Sequence, residues 1–159
     1  MRLKIYYYLK INLVPIDEDE IRLLYLPRRS WKPFAGGIIQ VKLFSVPLAE
    51  AKDYHYEAMS YTWRETSLQR SIAIWGRRHD ISQSLHQLLH ARRSFIHDRF
   101  LWIDQICINQ ENGEEVQSQI KKMRDIYIDA YRVVAWLDDN FDASMAARTI
   151  AEISNKFQL

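Results

Sequence analysis

The hydrophobic period of the chain changes at Ser82, from the two-residue repeat of strands to the helical repeat. Before that point, "IRLLYL" (21–26) is a short apolar run ended by Pro27, and "GIIQVKLFSV" alternates apolar with polar residues after the Gly36-Gly37 turn. Both read as strands. "YHYEAMSYTW" (54–63), rich in aromatics, reads as a strand buried on at least one face. In "RSIAIWGRRHDIS", Ile72 and Ile74 share a strand face, a turn falls at Gly76-Arg77, and the chain returns through Ile81 as a hairpin. Beyond Ser82, the spacing of Ile81, Leu85, Leu88, Leu89 and Arg92 predicts a helix over roughly 83–96. "FLWID" follows as a buried strand, a helix runs from about Gly113 to Ala130, and "RVVAWL" is a further strand. "DASMAARTIAEISNKF" closes the chain as a helix, with Asp142 or Ser144 placed to cap it.

This alternation predicts an α/β fold: a mostly parallel sheet with helices on both faces, elaborated at the N-terminus by a strand and a hairpin. Residues 99–137 form its strand, helix, strand unit, with parallel strands. Trp102, Ile103, Ile106, Met123, Ile126, Val133, Val134 and Trp136 are the expected core of that unit.

With 159 residues, 48% of them apolar, and four Gly and four Pro, the chain has the makings of one packed domain and not of a disordered or fibrous protein. The balance of 22 Lys+Arg against 20 Asp+Glu leaves +2, too little to draw the whole molecule to nucleic acid or an anionic membrane. Local basic groups remain at Arg28/Arg29 with Lys32, Arg77/Arg78 and Arg92/Arg93. The single cysteine, Cys107, excludes an internal disulfide or a multi-cysteine zinc site and fits a reducing compartment. Lys4 and Lys10 interrupt the N-terminal apolar stretch, which reads poorly as a signal peptide, and no run reaches the ~20 apolar residues of a membrane span. A cytoplasmic protein is expected.

The stretch "RFLWIDQICINQENGEEVQSQIKKMRDIYIDA" concentrates the candidate chemistry. Advancing about 100° per residue from Val116, Ile120, Met123, Ile126, Tyr127 and Ala130 fall within one arc that also holds Gln119. Glu115 lies at the edge of the arc, and Glu114 points nearly opposite, to solvent. Asp104, Asn109 and Gln110 lie on or beside the loop leaving a strand's carboxyl end, where open α/β sheets usually bind ligands. Glu115, with Asp104 as the alternative, is therefore the candidate site carboxylate, and Asn109, Gln110 and Gln119 are the candidate ligand-binding amides. The competing explanation of Glu114 and Glu115 is purely electrostatic, since acidic residues suit a helix's first turn. Cys107, between two isoleucines and without a signature for a neighbouring base, reads as a small buried hydrophobe. His86 and His90 have a spacing that binds metals but lack a third ligand, so no metal is expected.

Three blocks, "IRLL" before "YEAMSYTW", then "SIAIWGRRHDISQSLHQLL", then "LWIDQICINQENGEEVQSQIKKMRDIYIDAYRVVAWL", resemble in order and content the heterokaryon incompatibility (HET) domain family of filamentous fungi. The resemblance covers about residues 20 to 150, placing a HET domain over 21–159 after an N-terminal extension, 1–20. Arg64 and Asp138 stand where family members usually carry glycine, which puts a tight turn or a close ligand approach in question. The chain also ends sooner than a typical HET region, as a short protein or a fragment. The resemblance implies a TIR-like fold and an effector of fungal non-self recognition that triggers programmed cell death, through self-association as a homo-oligomer or docking on a receptor-type protein. It also implies an alternative, glutamate-dependent cleavage of the nicotinamide–ribose bond of NAD, with NAD as substrate and no cofactor required. In that chemistry a carboxylate stabilises developing oxocarbenium charge.

Overall fold

The computed structural model describes residues 13–29, 37–61 and 69–136, together with Arg148 and Ala151. In chain order the elements are β1 (Glu20–Leu26), β2 (Ile39–Pro47), α1 (Leu48–Ala51) running into a 3-10 turn (Lys52–Tyr54), β3 (Glu57–Tyr61), β4 (Gln69–Ile74) and β5 (Arg77–Ser82). They continue with α2 (Gln83–Arg92), β6 (Arg99–Trp102), α3 (Asp104–Cys107), α4 (Gly113–Asp129) and β7 (Arg132–Trp136). The closing helix expected over 142–157, and positions 31, 64 and 138, lie outside the described residues apart from Arg148 and Ala151, which are both helical.

Among the described residues, one seven-stranded sheet carries the order β5-β4-β2-β1-β6-β3-β7. It is mixed, which corrects the expectation of a mostly parallel sheet: β2–β4, β3–β6 and β3–β7 are parallel, whereas β1–β2, β1–β6 and β4–β5 are antiparallel. The cause is the position of β1. It occupies the middle of the sheet and runs against both neighbours, so the supposed N-terminal elaboration is part of the central framework. Both β6 and β7 run parallel to β3, which lies between them, and the expected parallel unit over 99–137 is present with β3 inserted.

Helices cover both faces. In register, Glu57 pairs with Leu101 and Ala58 with Trp102, so Glu57 and Trp102 point to opposite sides. Arg92 of α2 meets Glu57, and Tyr127 of α4 packs edge-on against Trp102. Ser82 starts α2 by accepting a hydrogen bond from the Leu85 N–H at 3.2 Å. That helix stops at Arg92, short of the expected 96, because the Ser94 hydroxyl captures the N–H groups of Ile96 and His97 and turns the chain.

Trp102, Ile103, Ile106 and Ile126 are fully buried as expected, and Met123, Val134 and Trp136 are half-buried against the core. Val133 is not core: it is 41% exposed on β7, an edge strand among the described residues. The face of α4 is also rotated from the expected one. Its buried residues are Glu115, Gln119 and Ile126, while Ile120 is 56% exposed. Apolar periodicity misplaced the centre because two polar side chains occupy the buried stripe. The hairpin turn falls at Trp75-Gly76, one residue earlier than read, with Ile74 paired to Arg77.

Candidate functional site

The chain leaves β6 at Trp102, opposite Ala58 of β3, and makes the single helical turn α3, where a continuation of the strand was expected. Asp104 therefore sits at the start of α3, half-buried, with its Oδ1 accepting from the Gln105 N–H at 2.7 Å. From the end of β3 the Tyr61 hydroxyl donates to Gln105 Oε1. Burial, and then the negative charge of Asp104, pushes the Tyr61 phenol well above its ordinary range and holds it as a proton donor. The Gln110 side-chain N–H groups reach back to the Asp104 carbonyl at 3.0 Å, tying the end of "CINQ" to the start of α3. Asp104, Tyr61, Gln105 and Gln110 thus form one polar group at the carboxyl edge of two parallel strands.

Glu115 belongs to a second group. It begins the buried face of α4, behind the cap in which Asn112 Oδ1 accepts from the N–H groups of Glu114 and Glu115 at 3.1 and 3.2 Å. Its partner is Arg22, projecting from the middle of β1 and only 3% exposed. Both carboxylate oxygens accept from the guanidinium, through Arg22 Nη1 to Oε1 and through Nη2 to Oε2 at 3.1 Å. Oε1 also accepts from the Asn109 N–H at 2.8 Å. Arg22 spends its other two Nη–H groups on the carbonyls of Cys107, at 3.1 Å, and Val14, at 2.6 Å. The result is an electrostatic latch: one ion pair holds β1, the end of "CINQ", α4 and the segment before β1 together.

Of the five residues expected to form a site, Asp104 and Gln110 meet in the first group, while Glu115 and the Asn109 backbone meet in the second. The Asn109 side chain accepts from the Glu111 N–H at 3.2 Å and so shapes its own turn. Gln119 is 1% exposed and donates to the Glu20 carbonyl at 2.9 Å, which makes it a clasp between α4 and β1. Glu114 is exposed, as expected. Cys107 is fully buried and burial pushes its thiol up to about 12, as befits an inert side chain. Among the described residues, no three His, Cys, Asp or Glu side chains converge as a metal site requires, and no helix is long and apolar enough to cross a membrane.

With this geometry in place, comparison with known proteins fixes the family. The family model described as heterokaryon incompatibility protein (HET) matches residues 56–158. The chain belongs to the HET family. A curated relative, heterokaryon incompatibility protein 6, OR allele, of Neurospora crassa, is 32% identical over 129 residues, which cover 72% of this chain. The aligned region is 19% of that relative's length, so this HET chain spans about a fifth of it. No solved structure matches the chain.

Two residues of this HET domain escaped the sequence reading although each left a signal. Arg22 is the one charge inside the apolar run "IRLLYL", and Glu57 the one charge inside "YEAMSY". A charge at a strand position that must be buried requires a buried partner. Glu57, 4% exposed, has two largely buried ones, Arg92 and Arg99 at 2.7 Å, and a half-exposed third, Arg132 at 3.5 Å.

Proposed function

We infer that this HET domain is an effector of fungal non-self recognition that triggers programmed cell death by self-association or by docking on a receptor-type protein. Family membership and the name of the Neurospora relative support the biological setting. The observation that carries the interaction reading is a run of exposed apolar side chains on the flank formed by the end of α4 and the edge strand β7. Ile128 is 53% exposed, Tyr131 61% and Val133 41%. Large apolar residues gathered at a sheet edge are the material of an interface. The test is expression of the chain in a fungal host alongside sedimentation of the purified protein. Ile128→Glu with Val133→Glu is expected to leave the fold intact and to abolish both self-association or partner capture and cell death. Undiminished killing by a folded double variant would remove the interface from the mechanism.

A second reading, cleavage of the nicotinamide–ribose bond of NAD, has one observation in its favour: the half-buried carboxylate of Asp104 at a strand's carboxyl edge, near the protonated Tyr61, on a turn that Gln110 ties down through the Asp104 backbone carbonyl. In this reading Asp104 stabilises the oxocarbenium charge in place of Glu115, whose oxygens are already engaged by Arg22. Asn109 and Gln110 then contribute ligand contacts. Release of nicotinamide from NAD that is lost in Asp104→Asn and retained in the apolar-flank variant would favour this reading over the first.

A further inference from the structure

A cavity of about 690 Å³ opens on the opposite half of the sheet from β3 and β7. Its floor follows the register across four strands: Arg22 faces Ser45, Leu24 faces Leu43, Val41 pairs with Ile74, and Ile74 faces Arg77, with His79 two residues further along the same face of β5. Residues Leu13–Ile16 form one wall and Trp75 another part of the lining. Of the expected site residues, none lines this space; only Arg22 connects it to the Glu115 latch.

Three features give the cavity a chemistry. First, its volume falls in the range of roughly 300–1,000 Å³ common to small-molecule sites. Second, its lining carries Arg22, Arg77 and His79 and, among the described residues, no carboxylate. The Arg22 charge is matched by Glu115, but neither Arg77 nor His79 has an ion-pair partner among the described residues. Third, Trp75 occupies a backbone position that tryptophan rarely tolerates. With φ of 52° at Trp75 and 77° at Gly76, the turn has the two left-handed residues that normally select Asn-Gly. The strain is held by specific contacts: the Trp75 N–H donates to the Val41 carbonyl at 3.1 Å, the indole Nε1–H donates to the Leu43 carbonyl at 3.0 Å, and the Lys42 ammonium lies 5.6 Å from the ring centre. The indole is nevertheless 61% exposed. A strained, pinned and exposed aromatic beside two unpaired cationic or donor side chains is the arrangement of a recognition surface.

We propose that this cavity binds a small planar aromatic compound carrying one phosphate or carboxylate group, its ring packed against Trp75 and its anion met by Arg77 and His79. The apolar wall of Leu13, Pro15 and Ile16, with Leu43 and Ile74 below, accepts the ring edge. Guanidinium and imidazole N–H groups two residues apart on one strand face then converge on the anion.

Calorimetric titration with 1-naphthyl phosphate, 1-naphthoate and uncharged 1-naphthol tests the proposal and separates the two sources of charge. Saturable one-to-one binding is expected for at least one of the two anions, with naphthol weaker by about tenfold or more, the size of a charge-assisted hydrogen bond. Arg77→Ala with His79→Ala is expected to reduce the anions to the naphthol level. Trp75→Asn, which suits the left-handed turn, is expected to weaken anions and naphthol alike. Ser45→Tyr fills the cavity from an exposed strand position without altering a charge, and is expected to abolish binding. Absence of saturable binding by both anions, equal affinity for naphthol, or anion binding that survives in folded Ser45→Tyr or in the Arg77/His79 double variant would each overturn the assignment.

Discussion

Glu115 and Arg22 are 93 residues apart in sequence and share a buried ion pair in which both carboxylate oxygens are used. An amide at position 115 keeps the shape but leaves the guanidinium uncompensated, and breaking a buried pair from one side costs about 3–5 kcal/mol. Glu115→Gln is therefore expected to lower the urea midpoint strongly, whereas Glu114→Gln, at an exposed first-turn position, should cost at most about 1 kcal/mol. A Glu115→Gln protein that unfolds at the parent's midpoint but has lost its biological activity would instead return this carboxylate to the functional chemistry. Cys107 allows a pH prediction. Its folded thiol titrates near 12 against an ordinary 9.0, so between those values the unfolded chain has released a proton that the folded chain retains. The stability contributed by the protonated thiol is complete below pH 9 and falls as pH rises towards 12, at up to about 1.4 kcal/mol per unit. Denaturant titrations across that window should show the decline, which the Tyr56, Tyr61 and Tyr127 phenols, also pushed up by burial, steepen above pH 10. Cys107→Ala should remove the part between pH 9 and 10 and make the rest shallower. At this scale the helical arc located Glu115 on the border of the buried face and Glu114 in solvent. It gave no hint of Arg22, because no local periodicity encodes a partner on a distant strand.

At the scale of elements, α4 is the instructive case. Its existence and limits were legible, since Asn112 caps it and the apolar period runs to Ala130. Its rotation was not, because Glu115 and Gln119 are drawn into the interface by the Arg22 guanidinium and the Glu20 carbonyl, and Ile120 is turned outward. Polar contacts outweighed one isoleucine. Ile126, fully buried, thus carries the packing that the expected arc shared with Met123, which is only half-buried. Ile126→Ala should cost about 2–5 kcal/mol, the range for emptying a core site, and Met123→Ala distinctly less. Chemical denaturation of the two variants compares them directly, and a larger loss in Met123→Ala would mean that the helix face is again misassigned.

For the whole molecule, the alternation of strands and helices revealed an α/β sheet but not its mixed character, because strand direction is a property of the assembled order. A hydrophobic run such as "IRLLYL" has the same pattern whichever way it lies between its neighbours. Charge placement fills part of that gap. Glu57 sits at the start of β3, and its partners Arg99 and Arg132 stand at the starts of β6 and β7, with Arg92 arriving from the end of α2. One carboxylate thus marks the shared amino ends of all three parallel neighbours and fixes their register, since a one-residue slip would turn it to the opposite face. Exposed ion pairs contribute little, but the Glu57 side chain is 5% exposed and the three arginines around it converge from α2, β6 and β7. Glu57→Gln should accordingly destabilise the domain by about 3 kcal/mol or more, as expected when a buried pair loses one partner. The reverse test removes cations singly: Arg132→Gln, whose partner retains Arg92 and Arg99 and whose own side chain is half exposed, should cost well under half as much. Hydrogen exchange should show the loss in Glu57→Gln spread over β3, β6 and β7 together. Protection lost only in β3 would mean that the carboxylate serves its own strand and that the packing of α2 and α4 holds the parallel half of the sheet without it.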